Sequence, residues 1–272
     1  MVSDTPHEPE TPGDHPHDND DDAPDAFAPE VTPGGSQIIR HEPGAGSDAH
    51  EGGGETTFLS DEEMDAFQQY IEERFGPIAN VWHELVSDQL HIDLLPVEPD
   101  GDDRPFFFLC TMGMSALPMT VPEDYDASPY AELCVALPPD WKRTSEDFER
   151  EGDDAYWPFG WLKHLARIPA AYDTFLGPGH TIPNEDPPVP FTERTPFVGV
   201  LVLPAAALLE ELPPATVGEK TVELLTIVPL RAEEMDFKLE HGTEALLERF
   251  DELGLTPWAM CDPERPSACP QE

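Results

Sequence analysis

The residues of this chain that could do chemistry are its histidines, acids, hydroxyls and cysteines, and their spacing limits what that chemistry could be. His83 and His91 lie near one another, with Asp93 two residues on, and His164 and His180 bracket the end of an apolar segment. Neither pair has the i, i+4 spacing with an intervening Glu of a zinc helix such as HExxH, so no metal site is expected. There is no GxSxG elbow to present a serine, and no GxGxxG or GxxxxGK[ST] loop to cradle a phosphate. No cofactor is expected. Four cysteines, Cys110, Cys134, Cys261 and Cys269, form no CxxC pair. Cys110 and Cys134 sit in apolar runs and read as small core residues, while Cys261 and Cys269 near the end of the chain could pair as a disulfide. Paired carboxylates are too frequent here to mark an acid–base site. The one enzymatic alternative that the residues leave open uses His91, Asp93 and His180.

The frequency of acids is itself informative. Asp and Glu number 57 against 14 Lys and Arg, a formal net charge of −43. That balance opposes a nucleic-acid surface, which needs cations to neutralise phosphate, and opposes an anionic membrane face. It suits a basic protein partner captured with electrostatic steering, or a protein adapted to high salt. The N-terminus MVSDTPHEPE has neither the basic nor the apolar region of a secretory signal, and no run approaches a membrane span. A cytoplasmic location follows as the default.

Stepping from residues to elements, the chain divides at about residue 57. Residues 1–57 are rich in Pro, Gly, His, Asp and Glu with one basic residue, Arg40, and are read as a disordered acidic tail. Order starts at Ser60, where Ser60 and Glu63 form a capping box before Met64, Phe67, Ile71 and Phe75 at helical spacing, closed by Gly76-Pro77. Leu90–Pro96 and Pro105–Thr111 read as an antiparallel hairpin turned at Asp100-Gly101, the second strand buried on both faces. Tyr130–Leu137 is a third strand. Residues 142–155 read as a loop or short helix.

The segment WPFGWLKHLARIPAAYDTFLGPGHT, residues 157–181, predicts the anchoring helix. Trp157, Trp161, Leu165, Ile168, Tyr172 and Leu176 share one face, Asp154 is the expected cap, and Pro158 suits a first turn. Pro169 predicts a kink or restart, and Gly177-Pro178-Gly179 the stop. Phe197–Leu203 and Val222–Pro229 are strands, Ala205–Leu212 is ambiguous, Arg231–Leu239 is helical, and Thr243 caps a last helix carrying Leu246, Leu247, Phe250 and Leu253. This irregular order of strands and helices predicts an α+β domain with a mixed, mostly antiparallel sheet packed with helices over residues 58–256, and a C-terminal tail over 257–272.

Four blocks, taken in order, resemble the Suppressor of Fused family in its bacterial-type, single-domain form: RPFFFLCTMGMSALPM, YAELCVALPPDW, the anchor segment, and TPFVGVLVL followed by VELLTIVPL. The residues that carry the resemblance are Gly113, Met114, Pro118, Met119, Glu132, Trp141, Trp157, Pro158, Gly179, His180, Pro196 and Pro229. It implies a fold like the N-terminal domain of the animal member and a non-enzymatic, protein-binding function. Animal members sequester a transcription factor by clasping an extended peptide, and bacterial members are thought to be immunity proteins that neutralise toxin domains. No second domain follows here, so a two-domain clasp is not expected, and Pro169 interrupts a helix that runs on in the animal member. The resemblance further implies a partner-binding segment leading into the YAELCVAL strand. Here that segment holds Glu123, Asp124, Tyr125, Asp126 and Tyr130, with Tyr125 as an aromatic anchor between acids that would meet a basic partner such as a toxin domain. An adaptor holding a non-toxin protein is the alternative, and oligomeric state is open.

Overall fold

The computed structural model describes residues 30–40, 56–87, 89–123, 125, 127–209 and 212–269. In chain order the elements are β1 (Glu30–Val31), β2 (Gln37–Ile38), α1 (Asp61–Phe75), β3 (Asp93–Val97), β4 (Phe107–Met112), β5 (Tyr130–Leu137), α2 (Ser145–Glu151), α3 (Asp153–Tyr172), β6 (Thr181–Pro183), β7 (Phe197–Pro204), β8 (Ala215–Val217), β9 (Lys220–Arg231), α4 (Ala232–His241) and α5 (Thr243–Glu252). The main sheet runs β3-β4-β5-β9-β7-β6, with β8 paired to the start of β9. Within this sheet β5 and β9 pair in parallel, and the other named strand pairs are antiparallel. The expected α+β fold with its mixed, mostly antiparallel sheet is what forms.

Both faces of the sheet are covered, which is why its strands lack a polar side. Alternate residues of β4 go to opposite cores: Phe107 and Leu109 pack with α3, and Phe108 and Cys110 with α1. Likewise Leu225 and Ile227 of β9 face α3, while Val228 and Leu230 join Met235, Leu246 and Phe250 of α4 and α5. Helix α1 begins with the expected reciprocal capping box of Ser60 and Glu63 and buries Phe67, Ile71 and Phe75.

The anchor helix differs from its sequence reading in three respects. It starts at Asp153, capped by Gly152, so Asp154 sits in the first turn and Pro158 one turn further in. It passes through Pro169 without a restart and ends at Tyr172, where Asp173 takes a left-handed conformation, before the Gly177-Pro178-Gly179 segment. Its buried stripe is Ala155, Pro158, Phe159, Leu162, Leu165, Ala166 and Pro169, and Trp157 is buried as well, against Trp141 and Phe191. Trp161 and Ile168 are half-buried and Tyr172 is exposed. The amphipathic indole of Trp161 sits at the rim, against Phe191 at 4.4 Å and His164 at 5.5 Å.

Two stretches read as tails contain packed residues. Residues 30–40 form the β1–β2 hairpin against α4, with Gly34 N–H donating to Leu239 O at 2.8 Å. Residues 1–29 and 41–55 lie outside the described residues. After α5 the chain makes a 3-10 turn at Pro257–Cys261 and returns under the sheet, where Met260, Cys261, Arg265 and Ala268 are buried. All four thiols are free, so Cys261 and Cys269 are not bonded to one another, and burial pushes the Cys261 pKa up to about 12. The strands β6 and β8 were not expected: three residues each, with proline or threonine, give too little alternation to read.

Candidate functional site

Three buried acids organise the polar interior, and each is built from elements far apart in sequence. The first is Glu132 on β5, fully buried. Its carboxylate accepts from Thr111 Oγ1 at 2.6 Å, Gly113 N at 2.8 Å, Ser115 N at 3.0 Å, Ser115 Oγ at 2.7 Å and Met114 N at 3.3 Å. The chain leaves β4 through Gly113 at φ 136° into a short 3-10 turn at Met114–Ala116, whose successive N–H groups converge on the acid as an anion nest. A Cβ at Gly113 would stand 2.0 Å from His91 O, so glycine is required by close approach as well as by its dihedral. With five donors around two oxygens the carboxylate has no free capacity for a substrate. It locks β4 to β5.

The second acid is Asp93, at the start of β3 and 3% exposed. It accepts from His83 Nδ1 at 2.9 Å, His91 Nε2 at 2.8 Å and Glu84 N at 2.9 Å. Ser87 Oγ lies 2.8 Å from His91 Nδ1 and 2.7 Å from Glu84 Oε2. Glu84 also pairs with Arg167 at 2.5 Å and Lys163 at 3.5 Å on α3, and accepts from Ile92 N. Ser87, His91 and Asp93 therefore form a hydrogen-bonded relay, with His180 remote from it. His180 packs instead on Phe175 at 4.7 Å and Tyr125 at 6.2 Å, and its pKa is lowered by burial and then by nearby Lys238. The expected trio of His91, Asp93 and His180 is thus split. The Ser87 hydroxyl has a carboxylate as well as an imidazole competing for its single proton, which works against activation as a nucleophile. What the relay does is clamp the loop 83–90 to β3 and α3.

The third acid, Glu234 on α4, was missed in the sequence. It is fully buried and held in a two-pronged pair by Arg265, Nη1–Oε1 at 2.6 Å and Nη2–Oε2 at 2.7 Å, with further donors from Ala268 N and Arg231 N. Burial pushes its carboxyl up, but Arg265 and the backbone donors outweigh that and leave the pKa below the usual range. Glu84 shows the same balance, with burial opposed by Ser87 and Arg167 and the net result lowered. Arg265 and Ala268 lie more than thirty positions from Glu234, so no local pattern announces the buried pair.

The remaining family-pattern residues are structural pieces of the same frame. Trp141 Nε1 donates to Ala155 O at 3.0 Å and its ring meets Trp157 edge-on. Trp157 stacks on Phe191, and Pro158 is buried beside it. Met119 is buried and accepts from Leu176 N through its sulfur, while Pro118 is exposed. Gly179, at φ 86°, donates to Val202 O, and His180 O accepts from Val202 N, which starts β6 beside β7. Pro196 leads into β7, and Pro229 on β9 offers its carbonyl to Arg265.

The segment expected to bind a partner is only partly brought together. Glu123 is exposed, and Asp124 and Asp126 lie outside the described residues. Tyr125 is half-buried, edge-on to Phe175 at 4.7 Å, with its hydroxyl donating to Pro178 O at 3.3 Å, so it pins the loop to the 175–180 segment. Tyr130 opens β5 under the Lys220 ammonium, 5.1 Å from the ring. The side chains that do stand free are elsewhere: Leu85 and Val86, at the tip of the clamped loop, are 95% and 82% exposed, and Phe58 is 57% exposed with its ring 4.8 Å from that of His91. The sequence hint was two adjacent apolar residues between His83-Glu84 and Ser87, without helix or strand period.

Among the described residues no cluster of three or more His, Cys, Asp or Glu could hold a metal ion, and no helix is long and apolar enough to cross a membrane. Comparisons with known proteins agree with the fold. Residues 88–266 match the family model described as Suppressor of fused protein (SUFU). No curated protein matches by sequence. Among solved structures, the chain is similar to one from the Sufu–Fu complex, at 15% identity over 79% of this chain and 93% of that one, with a TM-score of 0.53. A SUFU homologue from Neisseria gonorrhoeae FA 1090 matches at 19% identity over 78% and 97%, with a TM-score of 0.52. Drosophila Suppressor of Fused matches at 15% identity over 75% of this chain and 50% of that chain, with a TM-score of 0.51. With its fold matched and well over half its length covered by the family model, this chain belongs to the Suppressor of fused family.

Proposed function

We propose that this protein is a non-enzymatic binder that holds a protein partner in a stoichiometric complex, and that the partner is a basic toxin domain neutralised by it. The observation that carries this reading is the Leu85-Val86 tip: two apolar side chains held almost fully in solvent on a loop clamped by Asp93 and Glu84, in a chain of net charge −43. A preorganised apolar knob loses little conformational entropy on docking, and the surrounding negative potential speeds capture of a cation-rich surface. The complex of Sufu with Fu gives a family precedent for protein binding. The loop 122–130 is a second surface in the same reading, with Glu123 outward and Tyr125 supplying rigidity rather than contact.

The test starts from the partner recovered from the native host at its native salt and then purified. Leu85→Asp with Val86→Asp leaves the melting curve unchanged and weakens the binary complex at least tenfold, about 1.4 kcal/mol. Unchanged affinity moves the interface to another face. Expression of the partner alone separates the toxin reading from the alternative of an adaptor: a toxin arrests growth and is rescued by this protein, whereas a client of an adaptor is harmless.

A further inference from the structure

The β1–β2 hairpin lies in the acidic low-complexity stretch, yet it is seated in a shaped place. Its turn is closed by Thr32 N–H to Ser36 O at 2.8 Å and Ser36 N–H to Thr32 Oγ1 at 3.1 Å. At the apex, Gly34 N–H donates to Leu239 O at the C-terminal end of α4, where helix carbonyls lack internal partners. A Cβ on Gly34 would stand 2.5 Å from Gly242 N and 2.9 Å from the carbonyl oxygens of Lys238 and Leu239. The seat therefore admits only glycine at that point. Beside it Lys238 is 1% exposed, and among the described residues its ammonium donates to one hydroxyl, Ser36 Oγ, at 2.9 Å. Burial lowers its pKa. A Cβ on Gly179 would stand 3.4 Å from Thr243 Oγ1 at the start of α5, so the seat adjoins the Gly179-His180 segment on which Tyr125 rests.

Only part of the hairpin takes part in the attachment. Val31 and Ile39 face solvent at 53% and 54% exposure, so their apolar surface is not part of the attachment. An isolated two-stranded hairpin is marginal in water, so the seat shapes the turn as much as the turn fills the seat. Residues 41–56 tether the hairpin to α1. Covalent connection to the domain raises the concentration of the hairpin at its seat, enough to favour a weak attachment.

We propose that the corner between α4 and α5 is a peptide-binding site for a neutral glycine turn bearing a hydroxyl two residues on, and that residues 32–36 occupy it in cis as a displaceable strap. A ligand peptide of that chemistry competes with the tethered strap, and the exposed edge of the hairpin leaves when it wins. This inference is independent of whether the partner at the Leu85-Val86 tip is a toxin.

The experiment uses the full chain and the rate of lysine acylation by an N-hydroxysuccinimide acetate, read per residue by mass spectrometry, with exposed Lys142 as internal reference. In the parent Lys238 is protected. Gly34→Ala unseats the turn and accelerates acylation of Lys238 at least tenfold, with the near-ultraviolet dichroism of the domain retained. Val31→Ala, on the exposed edge, leaves Lys238 protected. A synthetic peptide of residues 28–42 added to the Gly34→Ala chain restores protection, and the same peptide carrying Ala in place of Gly34 does not. Equal Lys238 rates in parent and Gly34→Ala overturn the strap. Loss of the domain's dichroism in Gly34→Ala shows an integral element instead of a displaceable one, and failure of the parent peptide to protect overturns the binding site.

Discussion

At the scale of single residues, the buried acids carry more of this protein's stability than its many surface acids can. Glu132→Ala leaves the N–H groups of Gly113, Met114 and Ser115 without an acceptor in a dry interior. Each such loss costs about 1–3 kcal/mol, so a total of roughly 3–9 kcal/mol is expected, and Glu132→Gln is costly too because its amide N–H₂ faces donors. Urea denaturation measures this, and a shift in midpoint equivalent to under about 1 kcal/mol would refute the cage as a stabilising element. Glu234 and Glu84 give a pH dependence with a definite sign. Both have lowered pKa values in the folded protein. As pH falls below the usual carboxylate value of 4.5, the unfolded chain takes up these protons before the folded one does. Their stabilisation is therefore complete above that value and is lost as pH drops through the lower, folded values. Glu234→Gln removes its share, so the variant's stability falls less steeply with acid than the parent's. Parallel acid profiles for the two proteins would show that Glu234 is not the group responsible.

At the scale of elements, α3 separates the two tryptophans that its sequence presents as equals. Trp157 is 6% exposed and packs on Trp141, Phe191 and Phe197, whereas Trp161 sits at the rim. Trp157→Ala is expected to cost about 3–5 kcal/mol, and Trp161→Ala about 1–2 kcal/mol, the apolar area of a half-covered ring. Thermal melts of the pair decide this, and equal losses would mean that the helix is rotated from the orientation described. Tyr125→Phe keeps the ring against Phe175 and loses only the bond to Pro178 O. The melting curve stays put, while amide exchange in the 122–130 loop speeds up. Unchanged exchange there would mean that packing alone holds the loop.

At the scale of the whole molecule, a net charge of −43 makes the folded state repel itself. The Debye length shrinks from about 30 Å at 0.01 M salt to about 3 Å at 1 M, so the melting temperature should climb with sodium chloride across that range. A flat profile would show that the acids are spaced widely enough to be screened by water alone. The sequence alone determined what depends on neighbours along the chain. The capping box at Ser60 and Glu63 is legible because its bonds span three residues. Strands β4 and β5 are legible because apolar β-formers between turn signals have few other conformations open to them. The tertiary structure decided what depends on elements meeting. The face of α3 read from the sequence, with Trp161, Ile168 and Tyr172 on it, is not the one the sheet buries, because apolar residues wrap most of the helix and the sheet selected Leu162 over Trp161. Glu132 could be read as part of a family pattern, but its role appears only when the Gly113 turn closes over it. Glu234 and Arg265 carry complementary charges thirty-one positions apart, and only the return of the C-terminal segment under β9 brings them together. Leu85 and Val86 look like any apolar pair until the clamps of Asp93 and Glu84 hold them in water, because exposure is a property of the packed surface and not of the chain.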